Sequence, residues 1–168
     1  AFLGGDAQLF YNSLRKKGVE LGIEEFDQEE VQLQIFENIT TVPDGLDCAM
    51  RLLKSPQPPT GFLCALDLAA LGVIRATKQL ELIPGEHISV IGYEGIPEGE
   101  FSEPGLTTFA VDQYEAGFQC GVKLMQLIHE KGAKVTGTLT TAVLLERGSD
   151  GPACLNSSEL ATFIRSRK

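Results

Sequence analysis

An α/β domain with a mostly parallel sheet and helices on both faces is predicted for this 168-residue chain by three observations. Strand-like and helix-like segments alternate at a near-constant rhythm, which requires crossovers rather than hairpins. Two short continuous apolar runs, Gly61-Phe62-Leu63-Cys64-Ala65 and Ile88-Ser89-Val90-Ile91-Gly92, suit central strands buried on both sides. Between them, Leu68 to Leu80 carries apolar residues at helical spacing.

The elements follow in order. Ala1 to Gly5 reads as the end of a strand, and Leu9 to Ile23 as a helix with Leu14, Gly18 and Leu21 along one side. Val31 to Phe36 alternates loosely, as a strand does. Pro43 opens a helix to Lys54, with Leu46, Ala49, Met50 and Leu53 at helical spacing. Thr60 to Ala65 is a strand, and Asp67 is expected to cap the helix that ends near Leu80. His87 to Tyr93 is a further strand, followed by a Gly- and Pro-rich loop and the strand Leu106 to Ala110. A long helix is expected over Gln113 to Lys131, a strand over Thr138 to Glu146 and a short helix over Ser157 to Arg165. The division expected is a ligand-binding and dimerisation unit over 1–150 and a polar C-terminal tail over 151–168. In such sheets ligands bind beyond the carboxyl ends of the strands, which places Asp6 to Asn12, Asp67 and the Tyr93 to Gly105 loop near any site.

Composition excludes several classes. A formal net charge of -9, from 23 acidic and 14 basic residues, argues against direct nucleic-acid binding by this segment, because phosphate neutralisation needs clustered Lys and Arg. No apolar run approaches the roughly 18 residues of a membrane span. The first residues lack the charged start and apolar stretch of a secretory signal. Cys48, Cys64, Cys120 and Cys154 show no paired spacing and read as free thiols of a cytoplasmic protein. His87 and His129 stand far apart, so neither a metal nor any cofactor is expected. Gly4-Gly5 is not a phosphate-binding fingerprint, and no hydrolase or protease motif is present, so the chain is not read as an enzyme.

Several motifs stand in register along the chain. Pro59-Thr60 opens a strand that ends at Leu66-Asp67 before Ala70-Leu71-Gly72; Ile83-Pro84 precedes Ile88-Ser89-Val90-Ile91-Gly92-Tyr93-Glu94. Pro104-Gly105-Leu106-Thr107-Thr108, Leu144-Leu145-Glu146-Arg147-Gly148-Ser149 and Arg15-Lys16-Lys17-Gly18 complete the pattern, which covers nearly all of Ala1 to Ser149 and resembles the lactose/galactose repressor family of transcriptional regulators. Three positions depart from it: Leu66 stands where the family has Asn, Glu94 where it has Asp, and Val111 where it has Gln.

The resemblance implies a periplasmic-binding-protein-like effector domain of type I that senses a small effector such as a sugar. Operator DNA would be reached only through an N-terminal helix-turn-helix head, which together with a first subdomain precedes this point in family members and is expected to be missing here. The alternative of the same fold is an extracytoplasmic sugar-binding protein. The long helix from Gln113 is expected to cross back towards the first subdomain, leaving Phe118, Val122 and Leu127 exposed.

The candidate ligand residues are Tyr11, Arg15, Phe36, Asp67 and Glu94. Arg15 offers a planar fork of donors suited to adjacent hydroxyls, and Tyr11 lies one helical turn earlier on the same face. Glu94 offers a forked acceptor just past a strand end, and Phe36 a ring to stack on a sugar. Each has a plainer reading: a surface arginine, a packed tyrosine, a solvated loop acid, a core phenylalanine, a helix cap at Asp67. A homodimer is expected through Leu68 to Ala76, a helix apolar nearly all round, together with the Ile96 to Phe101 loop. Burial of that helix inside its own domain is the other reading.

Overall fold

The two apolar runs lie side by side at the centre of the sheet. In the computed structural model, which describes residues 1–25, 31–130, 137, 140–152 and 154–167, Phe62 of strand β3 (Gly61–Cys64) registers with Val90 of strand β4 (Ser89–Glu94), in parallel. Strand β1 (Phe2–Leu3) pairs with β3 on one side and with β2 (Ile35–Phe36) on the other, both in parallel. Strand β5 (Thr107–Ala110) adds in parallel to β4, and β6 (Val143–Leu145) closes the far edge antiparallel to β5. The order β2-β1-β3-β4-β5-β6 therefore reverses direction between β1 and β3. That reversal opens a crevice beyond the carboxyl ends of these two strands.

Helices α1 (Phe10–Glu25), α2 (Val42–Leu53) and α3 (Asp67–Gln79) link the first strands. α4 (Pro97–Glu100) is a single turn within the segment expected as loop, started by Pro97, whose missing N–H costs nothing at a first helical position. α5 (Gln113–His129) joins the last two strands. The strand expected over Val31 to Phe36 is reduced to its last two residues, with the Gln34 carbonyl just before them accepting from the Phe2 N–H at 2.8 Å. Of the strand expected over Thr138 to Glu146, Thr138 and Leu139 lie outside the described residues and Val143–Leu145 is strand. Lys131, the expected end of the long helix, also lies outside them.

The core occupies one face of the sheet. Strand pleating sends Leu3, Phe62, Cys64 and Val90 to that side, where they meet Ala49, Leu52 and Leu53 of α2 and Ala70, Val73 and Ile74 of α3. Helix α2 starts on a reciprocal cap: the Thr41 side chain accepts from the Asp44 N–H while the Asp44 carboxylate accepts from the Thr41 N–H. α2 and α3 approach so closely that a methyl group at Gly45 or Gly72 would collide with the other helix's backbone. This contact answers the question left by α3. Its second apolar face is buried by α2 inside the same domain, and Leu68 and half-buried Leu71 are what the helix leaves at the surface.

At the C-terminus, the short helix expected over Ser157 to Arg165 is α6 (Ser157–Ser166), capped by Asn156 and Glu159; within the stretch expected as a polar tail over 151–168, its Leu160, Ala161 and Ile164 are buried. A helix of this length presents an apolar stripe even in a polar stretch, and the sheet face supplies the surface that buries it. The other sheet face carries Leu63, Tyr93 and Phe109 under α1, with a cavity of about 390 Å³ between them. Helix α5 buries no residue: Phe118, Val122 and Leu127 are 53%, 36% and 43% exposed, as the crossing-helix expectation requires.

Candidate functional site

The first and third strand ends are tied together by one side chain. Arg15, one turn into α1, donates from Nη1 to the Ala65 carbonyl at 2.6 Å, so it bridges the reversal point between β1 and β3. Its guanidinium lies between two aromatic rings, 3.8 Å from the centroid of Tyr93 and 4.6 Å from that of Tyr11. Cation–π contact with two rings orients the fork and suits Arg better than Lys. Asn12 closes the turn that launches α1, accepting from the Gly5 N–H at 2.8 Å.

Glu94 ends β4 next to Tyr93, half-buried. Burial pushes its carboxyl up from the usual range, and the charge of Asp67 adds to the rise. The Arg15 charge and the Asp67 backbone N–H oppose it. The Glu94 backbone has φ +131°, a region that side-chain-bearing residues rarely adopt, followed by Gly95 at φ +79°. Such conformations concentrate at ligand sites.

Asp67 does not take the capping role expected of it. The N-cap is Leu66, without a side-chain bond, and Asp67 is the first helical residue, fully buried. Its Oδ2 accepts from the N–H groups of Gly95 (2.8 Å) and Ile96 (2.9 Å), and its Oδ1 from the Thr108 hydroxyl (2.7 Å). Both oxygens are thus engaged by protein donors. Phe36 turns towards α2: its ring packs against the core and has the Arg51 guanidinium 5.9 Å from its centroid. Tyr11, Arg15 and Glu94 are brought together at one strand-end corner; Phe36 is not among them.

Sequence reasoning missed Tyr93 and Thr108. Strand alternation was a usable signal for Tyr93, which shares the pleat side of Ile91, whereas nothing local marks Thr108, whose partner Asp67 lies 41 residues away. The Arg147-Gly148-Ser149 motif is a structural latch. Ser149 Oγ accepts from the Thr107 N–H at 2.8 Å and donates to the Val90 carbonyl at 2.6 Å, and Arg147 donates to the Leu106 carbonyl at 2.6 Å.

Residues 1–149 match the periplasmic binding protein-like domain family. The chain belongs to this family. Its relatives in it are helix-turn-helix-type transcriptional regulators. The repressor CytR of Escherichia coli strain K12 is 33% identical over 109 residues, 65% of this chain and 32% of the relative. The regulator AglR of Rhizobium meliloti strain 1021 is 32% identical over 158 residues, 91% of this chain and 44% of the relative. The chain thus spans less than half the length of the curated relatives it matches.

Solved structures agree on the fold. The Lac repressor bound to ONPG in its repressed state superimposes with a TM-score of 0.79 at 28% identity, covering 88% of this chain and 44% of that one. A LacI-family regulator of Arthrobacter sp. FB24, in complex with lactose, gives 0.73 at 27% identity, covering 88% and 56%. The α/β architecture read from the sequence is therefore the effector-domain fold of LacI-type regulators.

Proposed function

We propose that this chain is the effector-binding and dimerisation part of a DNA-binding transcriptional repressor that senses a small polyhydroxylated molecule such as a sugar. The observation that carries the reading is Arg15, anchored at the strand reversal with its fork oriented between Tyr11 and Tyr93. Donors that remain on the guanidinium suit neighbouring hydroxyls, and Glu94 supplies the matching acceptor. Lactose and ONPG, bound by two structural neighbours, are ligands of this chemistry. The acidic balance of the chain fits a unit that leaves operator contact to a helix-turn-helix head outside it, in a cytoplasmic protein. No described helix is long and apolar enough to cross a membrane.

Dimerisation belongs to the same proposal. With most of α3 buried by α2, the apolar surface that α3 and the α4 segment leave for a partner is Leu68, half-buried Leu71 and Phe101, the last 81% exposed. Asp67 ties the start of α3 to the turn that leads into α4, so Leu68 and Phe101 sit on joined elements. The exposed apolar side of α5 is assigned to a further subdomain of the regulator.

Calorimetry on the full regulator, titrated with a panel of mono- and disaccharides including lactose, tests the site. Arg15→Ala weakens the effector that binds by about 10- to 100-fold, the equivalent of one charge-assisted hydrogen bond, with operator affinity kept. Unchanged effector affinity removes Arg15 from the site and the reading with it.

A further inference from the structure

Glu94 is held in place from both ends. Its own carbonyl accepts from the Val111 N–H at 3.2 Å. The next two N–H groups, Gly95 and Ile96, both point at Asp67 Oδ2. Behind Gly95 there is no room to spare, because a methyl group there would meet the Ala110 side chain. A φ of +131° at a residue with a side chain persists only where the surroundings over-determine it. Asp67 is the group that does so, since it is fully buried and joins three segments through its two oxygens: its own helix, the turn after β4, and Thr108 in β5.

We propose that Asp67 is a positioning residue of the ligand site, its buried carboxylate holding the backbone of residues 94–96 so that the Glu94 carboxylate is presented on the Arg15 side of the crevice. The inference rests on the proposed function for its meaning, because Glu94 is there a ligand acceptor. Its geometry does not depend on which ligand binds. An ionised carboxylate is the one common side chain that can accept three donors here without offering one of its own. Asn in its place keeps an oxygen towards the two N–H groups only by turning its own N–H towards the Thr108 hydroxyl, which must then accept instead of donate, and a neutral amide oxygen holds the two backbone donors more weakly than a carboxylate does. The Asp67 charge also contributes to raising the Glu94 carboxyl, with Arg15 pulling the other way, so the same residue bears on where Glu94 ionises.

The test uses this chain without ligand, so it fails independently of any sugar-binding result. Amide hydrogen exchange at Gly95 and Ile96 and the carbon-13 pH titration of the Glu94 carboxyl are followed in wild type, Asp67→Asn, Thr108→Val and Thr108→Ser. In Asp67→Asn the two amides exchange about 10- to 100-fold faster than in wild type, while the Ala65 amide, bonded to Leu3 O, stays protected. The Glu94 midpoint moves to lower pH at the same time. Thr108→Val, which deletes only the bond to Oδ1, shifts both readouts in the same direction by less and decides the matter if Asp67→Asn does not fold. Thr108→Ser, which keeps the hydroxyl, restores them. Exchange that stays slow at Gly95 and Ile96, or that rises equally at Ala65, overturns the proposal. So does a Glu94 midpoint that stays put while the amides are released.

Discussion

Leu160→Ala is the sharpest measure of how α6 belongs to the domain. Leu160 is fully buried within the core cluster, although it lies in a stretch whose composition reads as a polar tail. Truncation to Ala removes three carbon atoms from that environment, about 2.4 kcal/mol of transfer free energy at about 0.8 kcal/mol for each. The cavity left behind adds to this, giving about 3 to 4 kcal/mol in total. That is a large share of the roughly 5 to 15 kcal/mol by which domains are stable, and in a chain of this size it lowers the melting temperature by about 6 to 16 °C. Urea denaturation with the paired control Thr162→Ala, whose side chain is exposed on the same helix, isolates the effect. The control is expected to change stability by less than about 0.5 kcal/mol. Equal effects of the two substitutions, or a loss below about 1 kcal/mol for Leu160→Ala, would refute the docking of α6.

Further outcomes follow from the same structure. Because burial and Asp67 raise the Glu94 carboxyl above its unfolded value, the native state holds that proton more tightly than the unfolded chain. The favourable contribution is present below the ordinary glutamate range and is lost as pH rises through the elevated value; Glu94→Gln removes this slope and stabilises the ligand-free domain at neutral pH, as pH-resolved melting reads. Gly72→Val forces α2 and α3 apart and costs about 3 kcal/mol or more in denaturant unfolding, whereas Gly18→Ala, with open space around it, is neutral or stabilising. Thr41→Ala removes the α2 cap and costs about 1 kcal/mol in the same assay. Phe101→Glu combined with Leu68→Glu shifts the sedimenting species to monomer; a retained dimer places the interface elsewhere.

The alternation of strands and helices was legible in the residues because the signals behind it are local. Continuous apolar runs mark strands covered on two sides, and helical spacing marks α2, α3 and α5, whatever the rest of the chain does. Arg15 and Glu94 were legible as site candidates for a related reason: each follows a strand by a short, readable distance, and parallel sheets bind ligands at that end. Their setting was not. The carbonyl that holds Arg15 lies 50 residues away, and the partners of Asp67 lie 28, 29 and 41 residues away. No periodicity encodes such pairings. The same holds for α3, whose all-round apolar composition fitted a partner surface equally well until α2 was seen against it through Gly45 and Gly72. Local spacing decides which segments become strands and helices, because each is stabilised within a few residues of itself. Which of them meet, and so whether an aspartate caps a helix or clamps a distant turn, is decided only when the chain closes on itself and each buried donor takes the acceptor that packing brings within reach.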